Sequence, residues 1–271
     1  METTTNQVTP DRNTMDKVRS AGLYAKGVVY GIVGILAAMA AFGAGGDITG
    51  TTGAIGYLQQ MPAGNVLLAL VAIGLLAYAL WRFYEAIEDP QGGGDENRAP
   101  KRAYYAYSGV VYGLLAYAFA KPLFGGGGSS GGQQKEALLA QLLDQQWGAW
   151  LVGVIAVVVA GMALYQFYKS YTGDYMKKLE GNPGRHYNLI KKAGRWGYAA
   201  RGVVFGIISF FLFRVMSAHN ADAYRGTEGA LQYLLSLNYG NVLLALVALG
   251  LVGYAIFNIM AARHTNLSAL G

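Results

Sequence analysis

Gly27-Val28-Val29-Tyr30-Gly31 decides how this chain is read. The stretch returns as Gly109-Val110-Val111-Tyr112-Gly113 and, with phenylalanine for tyrosine, as Gly202-Val203-Val204-Phe205-Gly206. Each copy lies in a long apolar run, so the chain reads as three copies of one membrane unit. Working outward, six runs are long enough to cross a bilayer, which takes about 20 apolar residues. They are Gly22 to Gly43, Gly64 to Tyr84, Tyr104 to Phe124, Trp147 to Tyr168, Trp196 to Met216 and Gly240 to Ala261, and none contains Asp or Glu. Strand-like alternation is absent, and an unclosed sheet could not satisfy its backbone in lipid, so the runs are expected to be helices.

The copies align beyond the signature. In the second helix of each unit, Gly74, Gly161 and Gly250 are followed four residues later by Tyr78, Tyr165 and Tyr254, and then by Arg82, Lys169 and Asn258. Units one and three match residue for residue over Gly64 to Ala72 and Gly240 to Ala248. The organisation expected is a polar tail (1–17), repeat one (18–84), a linker (85–100), repeat two (101–168), a basic loop (169–194), repeat three (195–261) and a tail (262–271). A two-helix unit starts and ends on the same side of the membrane, so the copies are parallel and can be related by rotation about the membrane normal. The fold class expected is therefore an all-α integral membrane protein of six transmembrane helices, three helical hairpins around a pseudo-threefold axis.

Composition agrees. Of 271 residues 54% are hydrophobic and 13% charged, against about a quarter charged in soluble domains. With no cysteine, disulfides, thiolate metal sites and thiol nucleophiles are excluded. The net charge of +6 reflects topology rather than nucleic acid: 17 of the 21 Lys and Arg fall in the tails and in the two connections between repeats. That bias places both termini in the cytoplasm.

The pairs Gly27/Gly31, Gly109/Gly113 and Gly202/Gly206, with Gly74, Gly161 and Gly250, are expected to be helix-packing residues, because small residues let backbones approach closely in lipid. On the outer side of each unit, Thr52 to Met61, Gln134 to Asp144 and Thr227 to Leu237 read as short interfacial amphipathic helices, with Thr52 and Thr227 as N-caps. Between repeats two and three, Tyr171, Tyr175 and Leu179 fall at helical spacing in the basic loop. A helix there would lie on the membrane and meet anionic lipid headgroups over 169–195. Tyr24, Tyr104, Tyr105, Tyr107, Tyr168, Tyr171 and Tyr198, with Trp81 and Trp196, form an interfacial belt. Tyr78, Tyr165 and Tyr254 lie deeper, where each hydroxyl needs a partner.

The three-hairpin layout, Ala199-Ala200-Arg201-Gly202-Val203-Val204-Phe205, Ala25-Lys26-Gly27-Val28-Val29-Tyr30 and the closing Gly-x-x-x-Tyr pattern resemble the bacterial membrane family catalogued as domain of unknown function 1206. The resemblance covers most of residues 18 to 260. It implies six spans in three repeats within a bacterial cytoplasmic membrane, and it carries no activity to transfer. Unit two departs most, with Ser108 where the others carry a cation and Trp147-Gly148-Ala149-Trp150 opening its second helix.

Charges inside spans are the candidates for function. Lys26 and Arg201 occupy equivalent positions beside the first glycine of their signatures, with Ser108 at that position in unit two. One reading has both cations snorkelling to cytoplasmic headgroups. The other has Lys26, Ser108 and Arg201 converging near the axis as an anion or lipid-headgroup site. Arg82 and Lys169 read as interfacial anchors. His186, His219 and His264 are scattered without ligand spacing, so no metal, cofactor or catalytic residue is expected. Two function classes follow. One is a non-catalytic structural or accessory module packing with membrane lipids or a membrane-protein partner. The alternative is an anion or small-molecule transporter or channel along the pseudo-threefold axis. An axial cavity lined by Lys26, Ser108, Arg201 and the repeat tyrosines would favour the second.

Overall fold

A computed structural model of the chain describes residues 12–46, 48–51, 53–88, 98–125, 139–145, 147–178 and 186–263. Thr52, Lys135, the start of the second short helix, Leu179, Arg185 and His264 lie outside the described residues. All regular structure among the described residues is helical. The long helices are α1 (Arg12–Ala41), α3 (Gly64–Glu88), α4 (Arg98–Ala120), α5 (Gly148–Thr172), α6 (Tyr187–Ala218) and α8 (Gly240–Arg263); the short ones are α2 (Ala54–Gln59) and α7 (Thr227–Ser236). Five of the six long helices are apolar enough to cross a membrane; α4 is not among them. The shortfall has a local cause, since α4 carries Tyr104, Tyr105, Tyr107, Ser108, Tyr112 and Tyr117 in its length.

The long helices stand side by side in an incomplete ring. Neighbours run antiparallel, as the positions that meet show: Gly22 and Ala25 face Tyr78 and Gly74, and Gly197 and Ala200 face Tyr254 and Gly250. All three seams between repeats are packed, α1 on α8, α3 on α4 and α5 on α6. Each is tied by hydrogen bonds at the end that carries the chain termini. Ser20 Oγ donates to Ala262 O at 3.0 Å, Arg102 Nε to Ala86 O at 2.6 Å, and Ser170 Oγ to Arg195 O at 2.8 Å. Arg102 also donates to Ile87 O at 2.9 Å, so it satisfies two of the carbonyls that the end of α3 leaves without a partner. We call this end, where the Lys and Arg of the connections gather, the basic end.

Hairpins one and three are packed, α1 on α3 and α6 on α8, whereas the two helices of repeat two, α4 and α5, have no packed interface. The threefold expectation is thus broken at one place, for a reason that lies in the register. Counting back from the signature glycine, Gly22 and Ala25 in repeat one and Gly197 and Ala200 in repeat three become Tyr104 and Tyr107 in repeat two. In the packed hairpins a Cβ on Gly74 would lie 2.5 Å from Ala25 Cβ, and one on Gly250 the same distance from Ala200 Cβ. No tyrosine fits such a crossing, and at Gly161, their counterpart, nothing lies within 4 Å.

The glycine expectation therefore needs correction. Gly27 meets Ala255 O and Ile259 of α8, Gly109 the Phe83 ring and Gly202 the Phe167 ring, all closely. Gly31 and Gly113 make ordinary contacts at 3.5 and 3.9 Å, and Gly206, like Gly161, faces open space. The closest backbone crossings are one turn earlier, at Gly22 and Gly197 against Tyr78 and Tyr254.

At the far end α2 and α7 tuck Ile55, Leu58, Leu231 and Leu234 into the same core as Val29, Leu68 and Leu244 of the long helices. The residue before α2 is Gly53 and that before α7 is Gly226, neither giving a side-chain cap; Thr227 is the first residue of α7 rather than its cap. Glycine opens the following helix because the short segment's carbonyls press on it: a Cβ on Gly64 would lie 2.3 Å from Leu58 O, and one on Gly240 2.0 Å from Leu235 O.

As far as Lys178, the connection after α5 does not continue as the helix that the spacing of Tyr171 and Tyr175 suggested. Gly173, at φ +73°, ends α5, and the turn Asp174–Lys178 sends Tyr175 into the bundle. There it packs on Tyr198 and Phe257 and donates to Lys191 O at 2.6 Å. Burial raises the Tyr175 phenol above its ordinary range, so it stays protonated as that donor. Tyr198 and Trp81, expected in an interfacial belt, are likewise packed inside, Trp81 beneath the Arg19 guanidinium at 5.5 Å.

Candidate functional site

One turn inside the basic end the bundle interior is a layer of tyrosines and cations. Lys26 is 6% exposed. Its Nζ lies 4.9, 5.0 and 5.1 Å from the ring centres of Tyr78, Tyr112 and Tyr254 and 3.4 Å from the Tyr78 hydroxyl. Arg201, 9% exposed, donates through Nη1 to the Tyr254 hydroxyl and sits over Tyr254, Tyr30 and Phe205 at 4.6, 5.2 and 5.1 Å. Neither cation snorkels; the structure excludes that reading. Tyr254 bridges them, its ring facing Lys26 and its hydroxyl Arg201.

The second-helix cations also turn inward instead of anchoring at the surface. Arg82 Nε donates to the Tyr78 hydroxyl at 2.9 Å, and the guanidinium lies 5.3 Å from the Tyr105 ring. Lys169 Nζ lies 4.4, 5.3 and 5.6 Å from the rings of Tyr165, Tyr104 and Tyr198. Asn258, at the same repeat position, is 1% exposed and gives its amide back to Tyr254 O at 2.6 Å. Aromatic faces stabilise a desolvated cation by about 2 kcal/mol or more, and inserting Lys or Arg at mid-helix costs about 2.5–3.5 kcal/mol. The cages therefore offset much of the penalty without neutralising any charge.

The neutralising partner is a residue that the sequence reading placed beyond the membrane. Glu85, 2% exposed, pairs with Arg82 Nη1 at 2.5 Å. It escaped because it lies one residue past the apolar run ending at Tyr84; its spacing of three from Arg82 was the available signal. Among the described residues, the basic side chains of this layer, Lys26, Arg82, Lys169 and Arg201, have Glu85 as a buried carboxylate, with Asp174 acting on Lys169 from just beyond α5.

Lys26, Ser108 and Arg201 do come together: all three line one cavity of about 870 Å³, with Tyr30, Tyr104, Tyr107, Tyr112, Tyr165 and Gln166 around its polar part. Among the repeat tyrosines only Tyr165 lines it; Tyr78 and Tyr254 act behind the wall, as hydroxyl partners of the cations. Ser108 is 6% exposed. Two polar atoms of the wall, Gln166 Oε1 and Arg201 Nε, are buried without a hydrogen-bond partner among the described residues. Gln166 was missed because a lone glutamine beside Tyr165 in an apolar run carries no spacing signal. From this layer the cavity runs toward Lys121 at the far end. The helix steps from Tyr107 in α4 to Lys121, just past its end, make that on the order of 20 Å at 1.5 Å per residue. Its walls there are apolar, with Leu114, Leu115, Ile155, Val159, Met162 and Leu212. Among the described residues no group of acidic or histidine side chains could hold a metal ion.

A bundle of long apolar helices built from repeats, with a cation-rich cavity inside, is a multi-pass membrane protein. The chain belongs to the family described as Domain of Unknown Function (DUF1206), whose model matches three times, at residues 21–89, 103–173 and 196–264. It is similar to the uncharacterized protein YxxB of Bacillus subtilis (strain 168), with 32% identity over 250 residues that cover 91% of this chain and 90% of the relative. No solved structure matches it.

Proposed function

We propose that this protein crosses the bacterial cytoplasmic membrane six times, with both termini in the cytoplasm, and takes up an anionic molecule in the cavity between its repeats, without catalysing a reaction on it. The observation that carries the reading is the cavity wall of Lys26, Ser108 and Arg201 in a layer where, among the described residues, basic side chains outnumber carboxylates. An anion placed there meets positive charge that tyrosine faces hold but do not cancel, and it accepts from Ser108 and the unpartnered Arg201 Nε. Such a cavity favours the transporter or carrier alternative over a purely structural module, whose axis would be filled by close-packed glycine and alanine. α4 supplies the sixth span: its 23 residues reach about 35 Å, and its low hydropathy comes from the tyrosines and Ser108 that it turns toward the cavity.

The test is ligand-dependent stability of the full chain in a neutral detergent. Dodecyl phosphate at a hundred times its Kd should stabilise the fold by about 2.7 kcal/mol, a rise of about 5–10 °C in Tm at this size. Arg201→Gln and Lys26→Gln should each reduce that rise. An equal rise with dodecyltrimethylammonium, or none with dodecyl phosphate, refutes anion binding.

A further inference from the structure

The cavity is not closed toward the surroundings of the bundle. Several residues that line it are largely accessible rather than enclosed: Tyr107 (44%), Val111 (38%) and Leu114 (65%) of α4, and Tyr165 (41%) of α5. They sit where α4 and α5 fail to pack. Among the lining positions on α4, 107, 111, 114 and 118 follow one helix face, and on α5 positions 155, 159, 162 and 166 follow another. These two stripes form the lips of a lengthwise seam. At the basic end the lips meet: Tyr104 and Tyr165 touch edge to face with centroids 5.5 Å apart, and Lys169 lies against both. These contacts narrow the approach to the polar layer from the basic end, and the middle of the seam, at Val111, Leu114, Ala118, Ile155, Val159 and Met162, is apolar.

We infer that the occupant is a glycerophospholipid with an anionic phosphate headgroup, drawn in sideways from the bilayer through the seam between α4 and α5, with its phosphate at Lys26 and Arg201 and its acyl chains along the apolar lips. This rests on the anion reading above and names the class of anion and its route. A soluble anion would gain nothing from the apolar middle of the wall, and a zwitterionic headgroup would bring a further positive charge beside Lys26 and Arg201. The volume of about 870 Å³ suits a headgroup and the upper part of its chains, by the scale of ordinary ligand cavities. The rest of each chain extends through the seam into lipid. The seam belongs to repeat two alone, where Tyr104 and Tyr107 stand in place of the glycine and alanine that close the other hairpins.

The full chain, reconstituted in phosphatidylcholine vesicles containing a minor fraction of phosphatidic acid and released into neutral detergent, is read by native mass spectrometry. Phosphatidic acid should be retained one per chain and enriched about tenfold over its share of the vesicle, Arg201→Gln should bring it back near that share, and excess glycerol phosphate should leave it in place. Because the chain lacks cysteine, the route can be blocked after folding. Leu114→Cys modified with a bulky lipid-soluble maleimide should lose the enrichment. Leu70→Cys, modified in the same way on α3, where Leu70 is equally exposed (62%) and does not line the cavity, should keep it. Displacement of the lipid by glycerol phosphate, or retention of the lipid by blocked Leu114→Cys, overturns lipid uptake through the seam and leaves anion binding standing. If phosphatidic acid is not enriched and dodecyl phosphate gives no stabilisation, both readings fail.

Discussion

Gly161→Ala and Gly250→Ala place the same methyl group at the same repeat position, once in the open hairpin and once in a closed one. In helix interiors the change from glycine to alanine is favourable by about 0.8–1.0 kcal/mol, and that gain is common to both. At Gly161 no atom lies within 4 Å of the new Cβ, so the gain stands alone. At Gly250 the Cβ would lie 2.5 Å from Ala200 Cβ and 2.9 Å from Trp196 O. The second of these is backbone and cannot swing aside, so α6 and α8 must part by roughly an ångström. Overpacking of this kind costs about 1–3 kcal/mol, which cancels or outweighs the propensity. The two variants should therefore differ by about 1–3 kcal/mol, or about 2–12 °C in Tm at about 2–4 °C per kcal/mol, with Gly161→Ala at or above the parent. Thermal unfolding of the purified chains, followed by helical circular dichroism in one neutral detergent, measures the difference. Equal destabilisation by both would mean that α4 and α5 cross as closely as α6 and α8, and the seam would not exist.

Glu85→Gln removes the carboxylate paired with Arg82; breaking a buried pair from one side costs about 3–5 kcal/mol, and Arg82→Gln in the same chain should recover most of the lost Tm. A double variant no more stable than Glu85→Gln would show that the pair is not what Glu85 contributes. For topology, His219→Cys, exposed at the end opposite the termini, should react with an impermeant maleimide in intact cells, whereas Tyr187→Cys, exposed near the basic end, should react only after permeabilisation. The reverse pattern refutes either the orientation or α4 as a span, and labelling of both in intact cells refutes α6 as a span.

The repeated signature was enough to set out three two-helix units, because its glycine pair and the Gly-x-x-x-Tyr pattern of the second helix fix register in all copies at once. The same register brought Lys26, Ser108 and Arg201 to one level, and the structure puts them on one wall. Direction was what register could not give. Lys26 and Arg201 sit about one turn inside the apolar runs that begin at Gly22 and Trp196, a position equally suited to snorkelling outward, and what turns them in is aromatic area from other repeats, Tyr112 for Lys26 and Tyr30 for Arg201. Arg82 and Lys169 were misread in the same way. Packing glycines went astray at Gly206 and Gly161 for a related reason: a glycine permits close approach but does not bring a neighbour. Two signals were present in the sequence and unused, Glu85 at three residues from Arg82, and the tyrosines at 104 and 107 in positions that hold glycine and alanine in the other repeats.

Those tyrosines and Ser108 fall in the same repeat, and the coincidence bears on how the protein works. A threefold set of cations at this level would place three like charges around one axis in a medium that screens poorly, a cost that grows with each charge added. Replacing one by serine lowers it and leaves a hydrogen-bond donor in its place. Opening the hairpin of that same repeat then sets the side door beside the weakest point of the positive layer. An anion passing Ser108 is drawn toward Lys26 and Arg201 on the two repeats that stay closed. Closed hairpins hold the cations still through Tyr78 and Tyr254, whose positions depend on Gly22 and Gly197; the open hairpin gives up that close crossing and gains access. On this view repeats one and three have kept the packing that the signature implies, and repeat two has exchanged it for the site.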